Sequence, residues 1–298
     1  MRVVIKISGA LAASAAVATD IAALRAAGEQ VVLVHGGAAQ IDRLAAELAV
    51  TARWTTSPSG VTTRHTDDAM LDVVTTALLG RVRPAVLTAL AGAGVRAVGL
   101  SGLDAGLLRA RRRAAVRAVV DGRTLILRDD RSGVVSHVEA GLLRALLEMG
   151  VVPVLSPPAL AEDGRPVNVN ADRVAAAVAL AVGADRLLFL TGAPGVLRDA
   201  ADPATVIGEY ELTDDRETPA SVRDGMALKL IAAREAVDGG VGDVRIAGGS
   251  RAHPVLDALS GAAGTVLRRP GAAPRPRATA PAGVPSGPSR SRPPGSTG

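Results

Sequence analysis

Gln30-Val31-Val32-Leu33-Val34-His35-Gly36-Gly37 is a short apolar, largely β-branched run that opens into a glycine pair, and Ile41, Leu44 and Leu48 then recur at helical spacing. Such a run reads as a buried parallel strand, and strand, glycine turn, helix is the geometry that presents backbone N–H groups to an anion. Many such turns need glycine only for its backbone freedom, so the pair alone leaves the question open. The unit recurs on both sides. Val3 to Ile7 runs into Ser8-Gly9 and a helix from about Ala16 to Ala27; Val95 to Leu100 runs into Ser101-Gly102; Arg186 to Leu190 enters Thr191-Gly192-Ala193-Pro194-Gly195. Val151 to Leu155, bounded by Gly150 and Pro157-Pro158, is a further buried strand, and Asp243 to Ala247 and Thr265 to Leu267 are the last two. This alternation predicts an α/β protein with three layers, α/β/α, built on an open, mainly parallel sheet covered on both faces. Val116 to Val120, Leu125 to Leu127 and Val134-Val135 suggest one small antiparallel subsheet, with Asp121-Gly122 as its hairpin turn. Thr51 to Thr63 reads as a polar hairpin around Trp54, and Thr66 as the cap of a helix carrying Met70, Val73, Val74, Ala77 and Leu78 on one stripe.

The 298 residues are 48% hydrophobic without internal repeats, enough for one large core or two modest ones. Cysteine is absent, which excludes disulfides and thiolate metal sites and fits a cytoplasmic setting. The apolar run after Met1-Arg2 is interrupted by Lys6 and is too short to span a bilayer, so no membrane role is expected. The net charge of +5 invites a nucleic-acid reading. Arg275, Arg277, Arg290 and Arg292 all lie beyond Gly271 with no acid among them, leaving about +1 for the preceding body. One Trp, one Tyr and one Phe provide no stacking platform for single strands. Residues 270–298, rich in Pro, Arg, Ser, Ala and Gly, are expected to be a disordered tail.

Asn168-Val169-Asn170-Ala171-Asp172 lies between an extended run and an alanine-rich helix with Val174, Val178 and Val182 in register. Asn170 is placed to cap that helix and Asp172 to sit in its first turn. Taken alone, the segment could be ordinary capping chemistry. Of 34 basic residues, however, only Lys6 and Lys229 are lysine. Lysine offers a compact ammonium with three donors where arginine offers a planar fork, so two lysines in an arginine background mark positions where a guanidinium does not serve. Lys6 ends a buried strand, which is costly unless it reaches an anion, and Lys229 follows Gly225-Met226-Ala227-Leu228 at the start of a helix. Arg64 precedes the Asp67-Asp68 helix start, well placed for a carboxylate, though without further context an arginine in such a position is more often a plain surface residue. Arg109, Arg111, Arg112, Arg113 and Arg117 form an acid-free run, either a docking patch or a solvated edge.

Lys6-Ile7-Ser8-Gly9, His35-Gly36-Gly37, Arg64-His65-Thr66-Asp67, Gly99-Leu100-Ser101-Gly102, Asn168 to Asp172, Ala193-Pro194-Gly195-Val196 and Gly225 to Lys229 together resemble the amino acid kinase family, in motif order, over residues 2 to about 267. The chain is similar to the N-acetylglutamate kinase group. Within that group it is most similar to the branch that phosphorylates aminoadipate or glutamate attached to an amino-group carrier protein. The resemblance implies one kinase domain over residues 1–269, acceptor-binding in its N-terminal part and ATP-binding from about residue 185. It implies Lys6, Lys229 and Asp172 as the catalytic set, the lysines neutralising the transferring phosphoryl group and Asp172 orienting them. Gly36, Gly37, Arg64 and Asn168 would bind the acceptor; Gly9, Thr191, Gly192, Gly195 and Gly225 would bind ATP, with Mg²⁺ arriving on the nucleotide and no protein metal site. Arg109, Arg111, Arg112 and Arg113 would dock a small acidic carrier protein, and the family likeness suggests a homodimer. Two positions depart from the family pattern: Ala38 stands where a third glycine is common, and Gly192 where relatives place Asp or Asn. The rival readings are a kinase of free N-acetylglutamate, a non-catalytic sensor on the same fold, and a nucleic-acid binder acting through the tail.

Overall fold

A computed structural model describes residues 1–57, 61–113, 115–120, 123–213 and 224–271. The chain opens with β1 (Arg2–Ile7), α1 (Ala15–Ala26), β2 (Gln30–His35) and α2 (Ala38–Glu47), followed by a hairpin of β3 (Trp54–Thr56) and β4 (Thr62–Arg64). Next come α3 (Asp68–Thr76), a π-helical turn over Ala77–Val82, α4 (Arg83–Gly92), β5 (Ala97–Ser101), β6 (Leu108–Arg112), β7 (Val116–Val120), β8 (Arg123–Leu127) and β9 (Gly133–Val138). The rest is α5 (Ala140–Glu148), β10 (Val152–Ser156), β11 (Ala159–Ala161), β12 (Pro166–Val167), α6 (Ala171–Val182), β13 (Arg186–Thr191), β14 (Glu209–Glu211), α7 (Asp224–Asp238), β15 (Asp243–Gly248), α8 (Pro254–Ser260) and β16 (Thr265–Arg268).

The main sheet has eight strands in the order β14-β16-β15-β13-β1-β2-β10-β5, parallel throughout except for β15 against β16. Because successive residues of a strand face opposite ways, each strand supplies two cores. Val4, Val32, Val34, Leu155, Leu187 and Phe189 pack under α5, α6 and α7. Val3, Ile5, Ile7, Val31, Leu33, Val154 and Leu188 pack under α1, α3, α4 and α8. Lys6 falls in phase with Val4, which sends its side chain to the α6 side. The 25-residue apolar stretch Asp68–Gly92 is long enough to cross a membrane by length and composition. Here Met70, Val73, Val74, Ala77, Leu78, Val82, Val86 and Leu90 are all buried in the second core.

Side chains from elsewhere in the chain close several elements. Asn170 caps α6 by accepting from the N–H groups of Asp172 (3.0 Å) and Arg173 (3.1 Å), and Gly183 ends that helix in the left-handed conformation that glycine tolerates best. The fully buried Asp20 of α1 accepts from the N–H groups of Val255 (2.8 Å) and Leu256 (3.2 Å) and faces Nδ1 of His253 (3.0 Å), so α1 caps α8.

The structure corrects two expectations. Asp67, not Thr66, caps α3: its carboxylate accepts from Met70 N at 2.9 Å, while Thr66 is buried and its own N–H donates to Asp130 Oδ2. The smaller strands form two sheets instead of one, ordered β12-β11-β6-β9 and β4-β3-β7-β8. Val134 and Val135 pair with Arg111 and Ala110 of β6, whereas β7 and β8 pair with each other and β7 with β3. The turn residues Asp121-Gly122 and the tail from residue 272 onward lie outside the described residues.

Candidate active site

Three ionisable side chains converge at the carboxyl ends of β1 and β2. The ammonium of Lys6 lies 2.7 Å from Asp172 Oδ1, and that of Lys229 lies 3.3 Å from Oδ2. Lys229 also donates to the carbonyl of Gly225 at 3.4 Å, one turn earlier on α7. The three come from a central strand, a helix start and a second helix, and are only 6%, 4% and 8% exposed. Burial works against the ionised carboxylate of Asp172, but the charges and hydrogen bonds of Lys6 and Lys229 outweigh it and hold its pKa below the ordinary value. Burial lowers the pKa of Lys229, with repulsion from Lys6 adding to it and Asp172 opposing. Two ammoniums against one carboxylate leave the cluster with one positive charge in a dry setting, and that is a demand for an anion.

Glycine backbone surrounds this charge. A Cβ on Gly36 would lie 3.9 Å from the Lys6 nitrogen, and one on Gly225 4.0 Å from the Lys229 nitrogen. Gly9 follows β1, and a Cβ there would stand 2.6 Å from the Cα of Gly37, so these two turns touch backbone to backbone. No side chain fits at either. His35, the last residue of β2, has its pKa pushed down to about 4 by burial; the Gly36 carbonyl opposes this and the charges of Arg83 and Lys6 assist it. It is therefore neutral at pH 7 and adds no charge to the cluster.

The other nucleotide-side candidates divide. Thr191 ends β13, beside β1, and a Cβ on Gly192 would meet nothing within 4 Å, so the space above it is open. Gly195 has a packing explanation: a Cβ there would lie 2.7 Å from Thr265 Oγ1 and 2.9 Å from Val206 Cγ1.

On the opposite side, Arg64 lies with its guanidinium 4.6 Å from the Trp54 ring centre and 2.5 Å from Asp42 Oδ1, while its Nη1 is buried with no partner. Asn168 donates from Nδ2 to Thr66 Oγ1 at 3.2 Å, and Thr66 Oγ1 contacts the Arg64 carbonyl at 3.4 Å, so the two acceptor candidates share one neighbour. Asp130 and Arg131 tie this corner together, since Arg131 N donates to Thr66 O (2.6 Å) and Asn168 N donates to Arg131 O (2.8 Å). The arginine run divides, with Arg112 set apart from the other three. β6 is an inner strand on which Arg109 and Arg111 are exposed, Arg113 follows it exposed, and Arg112 donates to the carbonyls of Asp130 (3.0 Å) and Arg128 (2.9 Å).

Sequence spacing gave the histidines no ligand pattern, yet folding brings His65 together with Asp67 and Asp129, ligand atoms within 4.8 Å of one another. Arg53 already supplies a cation there, 2.5 Å from Asp67 and 3.6 Å from Asp129. Asp42, Asp130 and Gln40 were not legible in sequence, because each acts on a segment far from it in the chain.

The chain matches the amino acid kinase family over residues 1–248. It is 39% identical over 252 residues to the LysW-aminoadipate kinase of Deinococcus radiodurans, covering 85% of this chain and 86% of that one. It is 38% identical over 239 residues to the acetylglutamate kinase of Methanopyrus kandleri, covering 80% and 90%. Among solved structures, the smu.665 protein of Streptococcus mutans superposes with a TM-score of 0.73 at 26% identity, covering 90% of this chain and 98% of that one.

Proposed function

The chain belongs to the amino acid kinase family, and on that premise we propose that it is an ATP-dependent kinase of the side-chain carboxylate of aminoadipate or glutamate carried on a small acidic amino-group carrier protein. The observation that carries the chemistry is the buried Lys6–Asp172–Lys229 cluster with its one unmatched positive charge. A carboxylate oxygen of the acceptor attacks the γ-phosphorus of ATP, the bond from that phosphorus to the β-bridging oxygen breaks, and the products are an acyl phosphate and ADP. The nucleophile is already ionised, so the reaction needs alignment and charge stabilisation and no general base. Lys6 and Lys229 meet the phosphoryl charge from two sides, and Asp172 holds both ammoniums in place. The N–H groups around Gly9, Gly36 and Gly37 bind phosphoryl and acceptor oxygens; Thr191, Gly192 and Gly225 border the nucleotide. Both Asp172 oxygens lie against lysine ammoniums, so Mg²⁺ would come with the nucleotide, where it would add charge neutralisation.

On the acceptor side, the free Nη1 of Arg64 and the Asn168 side chain bind the substrate's α-carboxylate region. Asp42 and Trp54 hold the guanidinium so that Nη1 is the donor left over. Exposed Arg109, Arg111 and Arg113 receive the acidic carrier. The reading divides residues 1–269 into an acceptor-binding part and, from about residue 185, a nucleotide-binding part, sets the reaction in the cytoplasm, and includes a homodimer. In support of the last, β5 ends the main sheet, with no strand beyond it among the described residues. Light scattering that returned a monomer at micromolar concentration would remove the dimer.

The decisive assay offers purified enzyme and MgATP either carrier-bound aminoadipate or glutamate, or free N-acetylglutamate, and measures ADP release and hydroxylamine-trapped acyl phosphate. Turnover on the carrier-bound acceptor is expected. Turnover on N-acetylglutamate alone would transfer the function to the second reading, which the 38% identity to an acetylglutamate kinase favours. No ADP release with any of the three would leave a sensor.

A further inference from the structure

Gln40 stands in the first turn of α2, three residues after Gly37, and has no part in the chemistry described above. Its side chain turns back beneath the turn it follows. Nε2 donates to the carbonyl oxygen of Gly9 at 3.0 Å, a contact between residues 31 apart in sequence. Oε1 is buried and without a partner. A Cβ on Gly9 would lie 2.5 Å from that oxygen, 2.6 Å from the Cα of Gly37 and 3.1 Å from the Gly36 carbonyl oxygen, so the Gln40 amide is wedged alongside the contact between the two turns. On its other side Gly37 is backed by the π turn. A Cβ there would meet Leu78 Cδ2 at 2.7 Å and Val82 Cγ2 at 2.9 Å. Single π turns inside α-helices cluster at functional sites, and here the widened turn supplies a wall behind an anion-facing loop.

A buried acceptor left without a donor costs roughly 1–3 kcal/mol, so packing alone is a poor reason to place glutamine here; a methionine would fill the same volume. What glutamine adds is the donor. A trans peptide holds its N–H opposite its C=O, so pinning the Gly9 oxygen also fixes the direction of the Ala10 N–H. The same bond sets how far the Gly9 turn stands from Gly36-Gly37, beside the Lys6 ammonium.

We propose that Gln40 is a positioning residue: its amide fixes the spacing of the Gly9 and Gly36-Gly37 turns, and hence the seat of the transferring phosphoryl group, without touching that group. The catalytic half of this inference rests on the kinase reading; the structural half rests on the geometry alone.

The test compares wild type with Gln40→Met, which keeps volume and removes the amide, and Gln40→Glu, which sets a carboxylate oxygen against the Gly9 carbonyl. Gln40→Met is expected to keep Tm within about 2 °C, because losing the unpartnered oxygen offsets losing the bond. Amide hydrogen exchange over residues 8–12 and 36–38 should accelerate about tenfold or more, with the rest of the chain unchanged. kcat should fall about tenfold to thirtyfold while KM for ATP and for the acceptor stays within about threefold, since sub-ångström misplacement costs turnover before it costs binding. Gln40→Glu should lose more kcat than Gln40→Met. Unchanged exchange in Gln40→Met overturns the proposal, as does exchange that rises throughout the chain while Tm and kcat fall together. Should wild type turn over neither acceptor, the kinase reading fails, and the exchange result still decides whether Gln40 sets the spacing.

Discussion

The catalytic corner and the acceptor corner handle charge in opposite ways. Around Asp172, two ammoniums face one carboxylate in near-complete burial, and the sum does not cancel. Around Thr66, the cations have carboxylates of their own: Arg53 has Asp67 and Asp129, Arg64 has Asp42, and Arg131 and Arg165 have Asp68. The first corner is built to wait for an anion. The second already gives each of these arginines an aspartate, so a substrate carboxylate there competes with resident partners and gains position more than binding energy. Buried charge that is unmatched marks where chemistry happens; charge that is matched marks where recognition is tuned.

That contrast breaks most easily at Asp172. Asp172→Ala strips from two buried ammoniums their only counter-charge among the described residues and should destabilise the fold by about 3–5 kcal/mol, read by urea denaturation, with turnover abolished. A stability loss below about 1 kcal/mol would mean that the lysines reach water and the corner is not the closed site described. Lys229→Ala leaves a neutral pair behind and should fold normally, with kcat down by about 10²-fold or more, as when one electrostatic contact to a transition state is lost. Wild-type kcat in that variant would remove Lys229 from the reaction.

His35 sharpens the comparison through pH. Its folded pKa of about 4 lies below the ordinary 6.5, so unfolding restores its affinity for a proton. As pH falls from 6.5 towards 4, the unfolded chain takes up a proton that the folded chain refuses, and stability declines by up to about 3 kcal/mol through this group. Below pH 4 this contribution flattens. Denaturation midpoints at pH 7.5 and pH 5 should differ more in wild type than in His35→Asn; equal differences would show that His35 takes up its proton without penalty.

At the exposed side, Arg109→Glu with Arg111→Glu should raise KM for a carrier-bound acceptor about tenfold at low ionic strength, shrinking as salt is added, with a small free acceptor unaffected. A salt-independent change would point to a direct structural effect on β6. The smallest effect belongs to Arg53→Ala, which cuts two exposed ion pairs and should change stability by less than about 1 kcal/mol in thermal melts.

Much of the catalytic corner was legible because its signals are local or compositional. Lys6 and Lys229 stood out against arginine, and the cap-and-carboxylate spacing of Asn170 and Asp172 survives unchanged in the fold. The acceptor corner was less legible because its partners are distant. The apolar pattern of Val134-Val135 announces a strand and says nothing of its neighbour, which is β6 and not the hairpin. Arg112 reads like Arg111 in sequence, and only strand alternation and the 128–130 carbonyls separate a structural arginine from an exposed one. Thr66 and Asp67 are both good caps, and the choice fell to Asp67 because Thr66 was drawn into the contacts of Asp130 and Asn168.

The central place of β1, between β2 and β13, has a consequence for how the chain is made. One edge of this first strand finds its partner within 30 residues, while the other waits for Arg186–Thr191, and α1 holds a buried carboxylate meant for a helix that starts at Pro254. On the ribosome the nascent amino-terminal half therefore carries an open apolar strand edge until β13 has emerged and an unfilled cap until α8 has, so the order of synthesis leaves its central strand exposed longest.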